Sequence, residues 1–125
     1  MNDGDRERFL ARFTENGRGI AFAVLGGSFG EGIDLPGSRL IGAFVTTLGM
    51  PQLNAVNKRM KETMQSIFGA GHEYTYLYPG MRKVVQAAGR VIRTTRDRGH
   101  LVLIDPRFGR ADVRALMPHW WRLED

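Results

Sequence analysis

The chain has no cysteine, so it forms no disulfide and offers no thiolate to a metal ion or cluster. It also lacks any apolar run approaching the roughly twenty residues that a membrane-spanning helix requires. The N-terminal Asp3-Gly4-Asp5-Arg6-Glu7-Arg8 mixes both charges where a secretory signal would be basic and then apolar. A membrane role is therefore not expected, and a cytoplasmic location, compatible with the missing disulfides, is. No Gly-Lys-Ser or Gly-Lys-Thr occurs anywhere, which removes a Walker-type phosphate loop, and the glycines do not fit the dinucleotide-binding fingerprint. His72, His100 and His119 are too far apart to make a local metal-binding motif. Internal repeats and low-complexity linkers are absent as well.

What remains is one domain's worth of chain. The 125 residues, 42% of them hydrophobic, can bury a single core. The net charge of +5 is carried mainly by arginine, 15 of the 18 basic residues. A positive balance favours phosphate-bearing partners, although arginine over lysine also follows from genome base composition. The placement of arginine says more than the sum.

That placement is most informative at Gln86-Ala87-Ala88-Gly89-Arg90-Val91-Ile92-Arg93. Gln86, Gly89, Arg90 and Arg93 recur at i, i+3, i+4 and i+7, while Val84, Ala87, Ala88, Val91 and Ile92 take the other side. Arginine presents a rigid, permanently charged fork that matches phosphate oxygens, so this face suits an anion. An amphipathic surface helix with arginine on its wet side fits the same spacing.

A second segment bears on the choice. The apolar run Ile20-Ala21-Phe22-Ala23-Val24-Leu25 has strand length and breaks into a glycine-rich stretch, Gly26 to Gly37, that includes the acids Glu31 and Asp34. Dense glycine lets a backbone point its N–H groups outward. Loops leaving the carboxyl ends of strands are where open α/β sheets bind ligands. The two acids suit arginine side chains, a ribose hydroxyl or a water; solvated turn acids are the plain alternative.

The wider pattern predicts a parallel sheet flanked by helices. A first helix is expected over Asp5 to Glu15, with Phe9, Leu10 and Phe13 on one side, and strands over 20–25 and Ile41 to Leu48. Pro51 opens a helix whose Leu53, Val56, Met60, Met64, Ile67 and Phe68 form an apolar stripe expected in the core, ended by Gly69-Ala70-Gly71. Glu73 to Tyr78 reads as a short strand or an aromatic loop, with Tyr74, Tyr76 and Tyr78 alternating along one face. A helix over 82–94, a strand over 100–105 and a short helix from Asp112 to Leu116 complete the order.

Gly27-Ser28-Phe29-Gly30-Glu31-Gly32-Ile33-Asp34-Leu35-Pro36-Gly37, followed later by Gln86 to Arg93, resembles motifs V and VI of superfamily 2 helicases. The flanking Tyr78-Pro79-Gly80-Met81, Asp97-Arg98-Gly99, Leu103-Ile104-Asp105-Pro106-Arg107-Phe108 and Pro118-His119-Trp120-Trp121 narrow the resemblance to the XPD/DinG group, from Phe9 to Trp121. It implies a RecA-like α/β fold, here the C-terminal part of the second motor lobe and so an incomplete one. It also implies an ATP-dependent DNA helicase that acts on single-stranded DNA. In that class the first lobe brings the phosphate loop, the Mg²⁺-binding acidic box and a cysteine-ligated iron–sulfur cluster, none of which is in this sequence.

Residue by residue, the resemblance assigns Arg90, Arg93 and Gln86 to the γ-phosphate of ATP, and Gly89 to close lobe contact. It gives Gly30, Glu31, Gly32 and Asp34 to ATP binding and coupling. Single-strand contacts are expected from the backbone at Gly26, Gly27 and Ser28, and from Thr46 and Thr47 at the end of a strand. Partners are the missing lobe, single-stranded DNA and, through uncovered apolar faces, a second copy or another protein. Trp120 and Trp121 either stack bases or dock the chain end onto the domain. A stand-alone single-strand-binding module and a non-catalytic adaptor are the alternative functions.

Overall fold

The structure is a computed structural model describing residues 2–27, 35, 37–94 and 96–124. The glycine-rich positions Ser28, Gly30, Glu31, Gly32 and Asp34 lie outside the described residues. Helix α1 spans Asp3–Leu10 and is set by its ends: Asn2 accepts the Asp5 N–H at 2.8 Å, and Asp3 and Asp5 sit in the positive first turn. It stops short of the expected Glu15, and Arg39 Nε donates to the Phe13 carbonyl at 2.6 Å, tying the segment after α1 to the turn before the sheet.

The sheet has two parallel strands, β1 (Gly42–Val45) and β2 (His100–Leu103), with Phe44 opposite Val102 and Val45 opposite Leu103. Parallel strands need a long crossover. Here it consists of α2 (Ala55–Phe68), a π-helical turn (Glu73–Leu77) and α3 (Tyr78–Val91). A short 3₁₀ turn (Pro106–Gly109) and α4 (Ala111–Arg114) follow β2.

Helix α3 packs across one face of the strand pair. Met81 and Val84 from α3 meet Val45 and Leu48 from the β1 end, with Leu77, Phe108, Val113 and Met117 closing the core. The opposite face leaves Phe44, Val102 and Ile104 exposed.

Three expectations are corrected. Residues 20–24 form no strand: a strand exists through its ladder, and this segment faces β1 across a cavity instead of through hydrogen bonds, with Phe22 96% exposed. The stretch Glu73 to Tyr78 is helical. Alternating tyrosines also satisfy helical spacing, since Tyr74 and Tyr78, at i and i+4, meet edge to face at 5.1 Å while Tyr76 is buried. Pro79 has no N–H to give and would crowd the carbonyl four residues back, and the wide turn just before it, closed by Tyr78 N–H to Glu73, accommodates that loss.

The third correction concerns α2. It starts at Ala55 and not at Pro51, because Asn54 caps it by accepting the Asn57 N–H, and it ends at Gly69 in a left-handed conformation with φ 68°. Its apolar stripe is not core: no α2 residue is buried, and the helix packs chiefly on the π-helical turn, with Phe68 against Tyr74. Periodicity names the apolar face of a helix but supplies no partner for it.

Fully buried Leu48 and 87%-exposed Leu53 give a paired test of this arrangement. Leu48→Ala should destabilise the chain by about 2–5 kcal/mol, whereas Leu53→Ala should stay within about 0.5 kcal/mol of the parent in urea unfolding.

Candidate functional site

Helix α3 ends at Val91, three residues before the expected 94. Ile92 turns extended, and the Asp97 carboxylate accepts the N–H groups of Arg93 at 2.9 Å and Thr94 at 2.8 Å, giving those donors a partner outside the helix. These two backbone bonds, Arg93's first, hold the Asp97 carboxyl below its ordinary value, with Arg93's charge adding less.

The early stop separates the two arginines that periodicity put on one face. Arg90, half-buried on α3, lines a cavity of about 670 Å³ beside β1, together with Thr46, Thr47, Leu25, Phe9 and Phe13. Arg93 lies beyond the helix and lines a different cavity, of about 1110 Å³, with Asp97, Arg98, Trp120, Trp121 and Arg122. Gln86 is exposed on α3, one turn before Arg90, and belongs to the lining of neither.

The first cavity runs the length of β1, from Leu40 to Thr47, and so includes the carboxyl end of the strand, where open α/β sheets place ligands. Thr46 and Thr47 leave β1 at that end, whereas Arg90 borders the cavity from the C-terminal end of α3, where its neighbour Val91 lies by Gly99 and Ile41 at the start of the strands. Gly26, at φ 79°, carries the Lys83 side chain directly over it, so the entry to the glycine-rich stretch sits against a cation from α3. Gly27 departs from expectation: its N–H donates to the Val24 carbonyl at 2.9 Å, within a turn, and is not presented outward.

A Cβ built at Gly89 meets nothing within 4 Å, so the described residues do not themselves require glycine at that position.

Two residues that sequence reasoning gave no role lock the strand ends. Arg107 donates from Nε and Nη2 to the two Asp105 oxygens, at 2.9 and 2.6 Å, while Asp105 also accepts the Arg107 backbone N–H. The same guanidinium reaches Thr47 Oγ1 at 3.5 Å, tying the end of β2 to the end of β1. The Arg107 side chain, then its backbone N–H, hold the Asp105 carboxyl down at about 2. The visible signal was Asp-Pro-Arg directly after a strand, a carboxylate and a guanidinium two residues apart.

Among the described residues no three His, Asp or Glu side chains gather to hold an ion, and without cysteine an iron–sulfur cluster has no ligands in this chain. Among them, too, no helix is long and apolar enough to cross a membrane.

The family model described as helicase C-terminal domain matches residues 1–124. The chain belongs to the helicase C-terminal domain family. The chain is 35% identical to the regulator of telomere elongation helicase 1 of Bos taurus over 93% of its length, and 32% identical to the ATP-dependent DNA helicase chl1 of Schizosaccharomyces pombe over 82%. The general transcription and DNA repair factor IIH helicase subunit XPD of Arabidopsis thaliana is 31% identical over 87% of the chain. The chain spans 10%, 13% and 15% of those three proteins. This helicase C-terminal domain is α/β, with a parallel strand pair.

Two variants test the site's construction. Gly89→Ala should stabilise this domain by up to about 1 kcal/mol in thermal unfolding, since alanine is the better helix former and has room. Asp105 titrates lower in the folded chain than in the unfolded one, so its contribution is full above pH ~3.9 and is lost as pH falls towards about 2. Asp105→Asn should flatten the acid-unfolding curve in that window.

Proposed function

We propose that this chain is part of the second motor lobe of an ATP-dependent DNA helicase of the XPD/DinG type, bringing positive charge to ATP and one wall of a groove to single-stranded DNA. The observation that carries the reading is Arg90, half-buried on the helix that bears the motif VI-like arginines and lining a cavity that runs along β1 as far as Thr46 and Thr47.

Phosphoryl transfer needs mainly positioning and charge stabilisation, and an arginine entering from a second lobe contributes a factor of roughly 10³–10⁵ in P-loop enzymes. Arg90 is assigned to the γ-phosphate when the lobes close, with Gln86 on the same helix contacting the γ-phosphate or its attacking water. Arg93 has the same assignment by resemblance, but its place beyond the helix end, in the other cavity, gives it weaker geometric support. An approaching first lobe accounts for Gly89, whose open surroundings leave the reason for glycine outside this chain.

Thr46, Thr47 and the backbone at Gly26 and Ser28 are assigned to DNA phosphates, which position a strand without reading its sequence. Glu31 and Asp34, with Gly30 and Gly32, are assigned to coupling nucleotide to strand on resemblance alone. Mg²⁺ and the β/γ-phosphates would be held by the first lobe, since this sequence has no phosphate loop. Uncovered faces such as Phe44 with Val102 are candidate contacts for that lobe or a second copy.

The chain on its own should show no ATPase activity, with or without single-stranded DNA; turnover abolished by Arg90→Ala would overturn the lobe assignment. In a two-lobed protein containing this chain, Arg90→Ala should lower kcat by about 10³-fold or more while leaving DNA affinity nearly unchanged. Arg93→Ala should cost less, and lysine should rescue Arg90 poorly. Normal kcat in the folded Arg90→Ala protein would return α3 to an ordinary amphipathic surface helix.

A further inference from the structure

Arg93 apart, the residues of the second cavity take no part in the motor reading. It lies between the end of α3, strand β2 and the segment after α4, with an apolar floor that includes Ala88, Leu101 and Leu103. Trp121 packs against the hydrophobic core and anchors that segment, while neighbouring Trp120 stands 56% exposed on the same wall. The two indoles meet at 86° with centroids 6.3 Å apart, so they do not stack on each other. Arg98 and Arg122 border the same space, as does Arg93. The lining carboxylate, Asp97, is engaged by the backbone N–H groups of its own turn.

We propose that Trp120, with Arg98 and Arg122, forms a binding site for an unpaired base and its adjoining phosphates in a single-stranded nucleic acid. An exposed indole beside a partly buried neighbour packed on the core is a stacking platform that any base can use, and guanidinium groups around it match phosphate oxygens. Three arginines against one already bonded carboxylate make the cleft complementary to a polyanion. An acidic peptide would answer the charge but leave the indole without a matching flat partner. The inference takes its ligand class from the motor reading, yet it places the contact away from Arg90, Thr46 and Thr47. Its test needs no ATP turnover, so either reading can fail alone.

The chain's two tryptophans are Trp120 and Trp121, so intrinsic fluorescence reports on this cleft directly. Oligothymidylate should quench it saturably, with a dissociation constant of roughly 10⁻⁴–10⁻⁶ M at physiological salt that weakens as salt rises. An abasic oligomer of equal charge should quench much less. By anisotropy of a dye-labelled oligothymidylate, Trp120→Leu should weaken binding by about ten-fold or more. Arg122→Glu, which keeps both indoles, should weaken it and reduce its salt dependence. The site is overturned if oligothymidylate leaves the fluorescence unchanged, if polyglutamate or the abasic oligomer quenches as strongly, or if Arg122→Glu binds like the parent. Circular dichroism checks that Trp120→Leu is folded, and should it unfold, the Arg122→Glu and abasic comparisons decide.

Discussion

The packing of α3 across one face of the β1–β2 pair is the constraint on which the rest of this domain depends. Two parallel strands are a small platform, and they hold because Met81 and Val84 of α3 close over Val45 and Leu48. Phe108, Val113 and Met117, from beyond β2, complete the same cluster, so the crossover and the chain's last third share one core. Once α3 is fixed, Lys83 lies over Gly26 beyond the carboxyl end of β1, the Arg90 end of the helix lies towards the start of the strands, and the chain must leave the helix near β2.

Polar contacts then sharpen what the core has placed. Arg107 joins Asp105 to Thr47 and so adds a side-chain tie between the two strand ends, beside the Ile104 N–H that donates to the Val45 carbonyl at 2.8 Å. Asp97 holds the turn between α3 and β2 by taking two backbone donors. Both carboxylates are depressed for the same reason, hydrogen bonds that favour the charged form, and neither gains its role from burial. The domain's charged residues thus act at the ends of elements, which is where a nucleotide or a strand of nucleic acid would meet it.

The uncovered surfaces fit a body made to work against others. Parallel sheets are ordinarily covered on both faces, yet Phe44 and Val102 are exposed as neighbours, and α2 shows solvent most of its apolar stripe. No described residue crowds Gly89 either.

The sequence by itself determined the fold class of the domain and its family. Apolar runs, caps and glycine stops located β1, α2, α3 and β2 to within a few residues, and the spacing around Arg90 marked the polar side of α3. The two motif segments in order identified the family that the comparison then matched. Only the tertiary structure decided which elements found partners. Residues 20–24 have strand character but no ladder, the α2 stripe has apolar character but no core, and Tyr74 to Tyr78 became helical because their spacing serves either form. The fate of Arg93 shows the reason most directly. Periodicity is a property of neighbouring residues and continued the helix through it, but the Asp97 carboxylate offered its N–H a better acceptor, ended α3 at Val91 and sent the two arginines to different cavities.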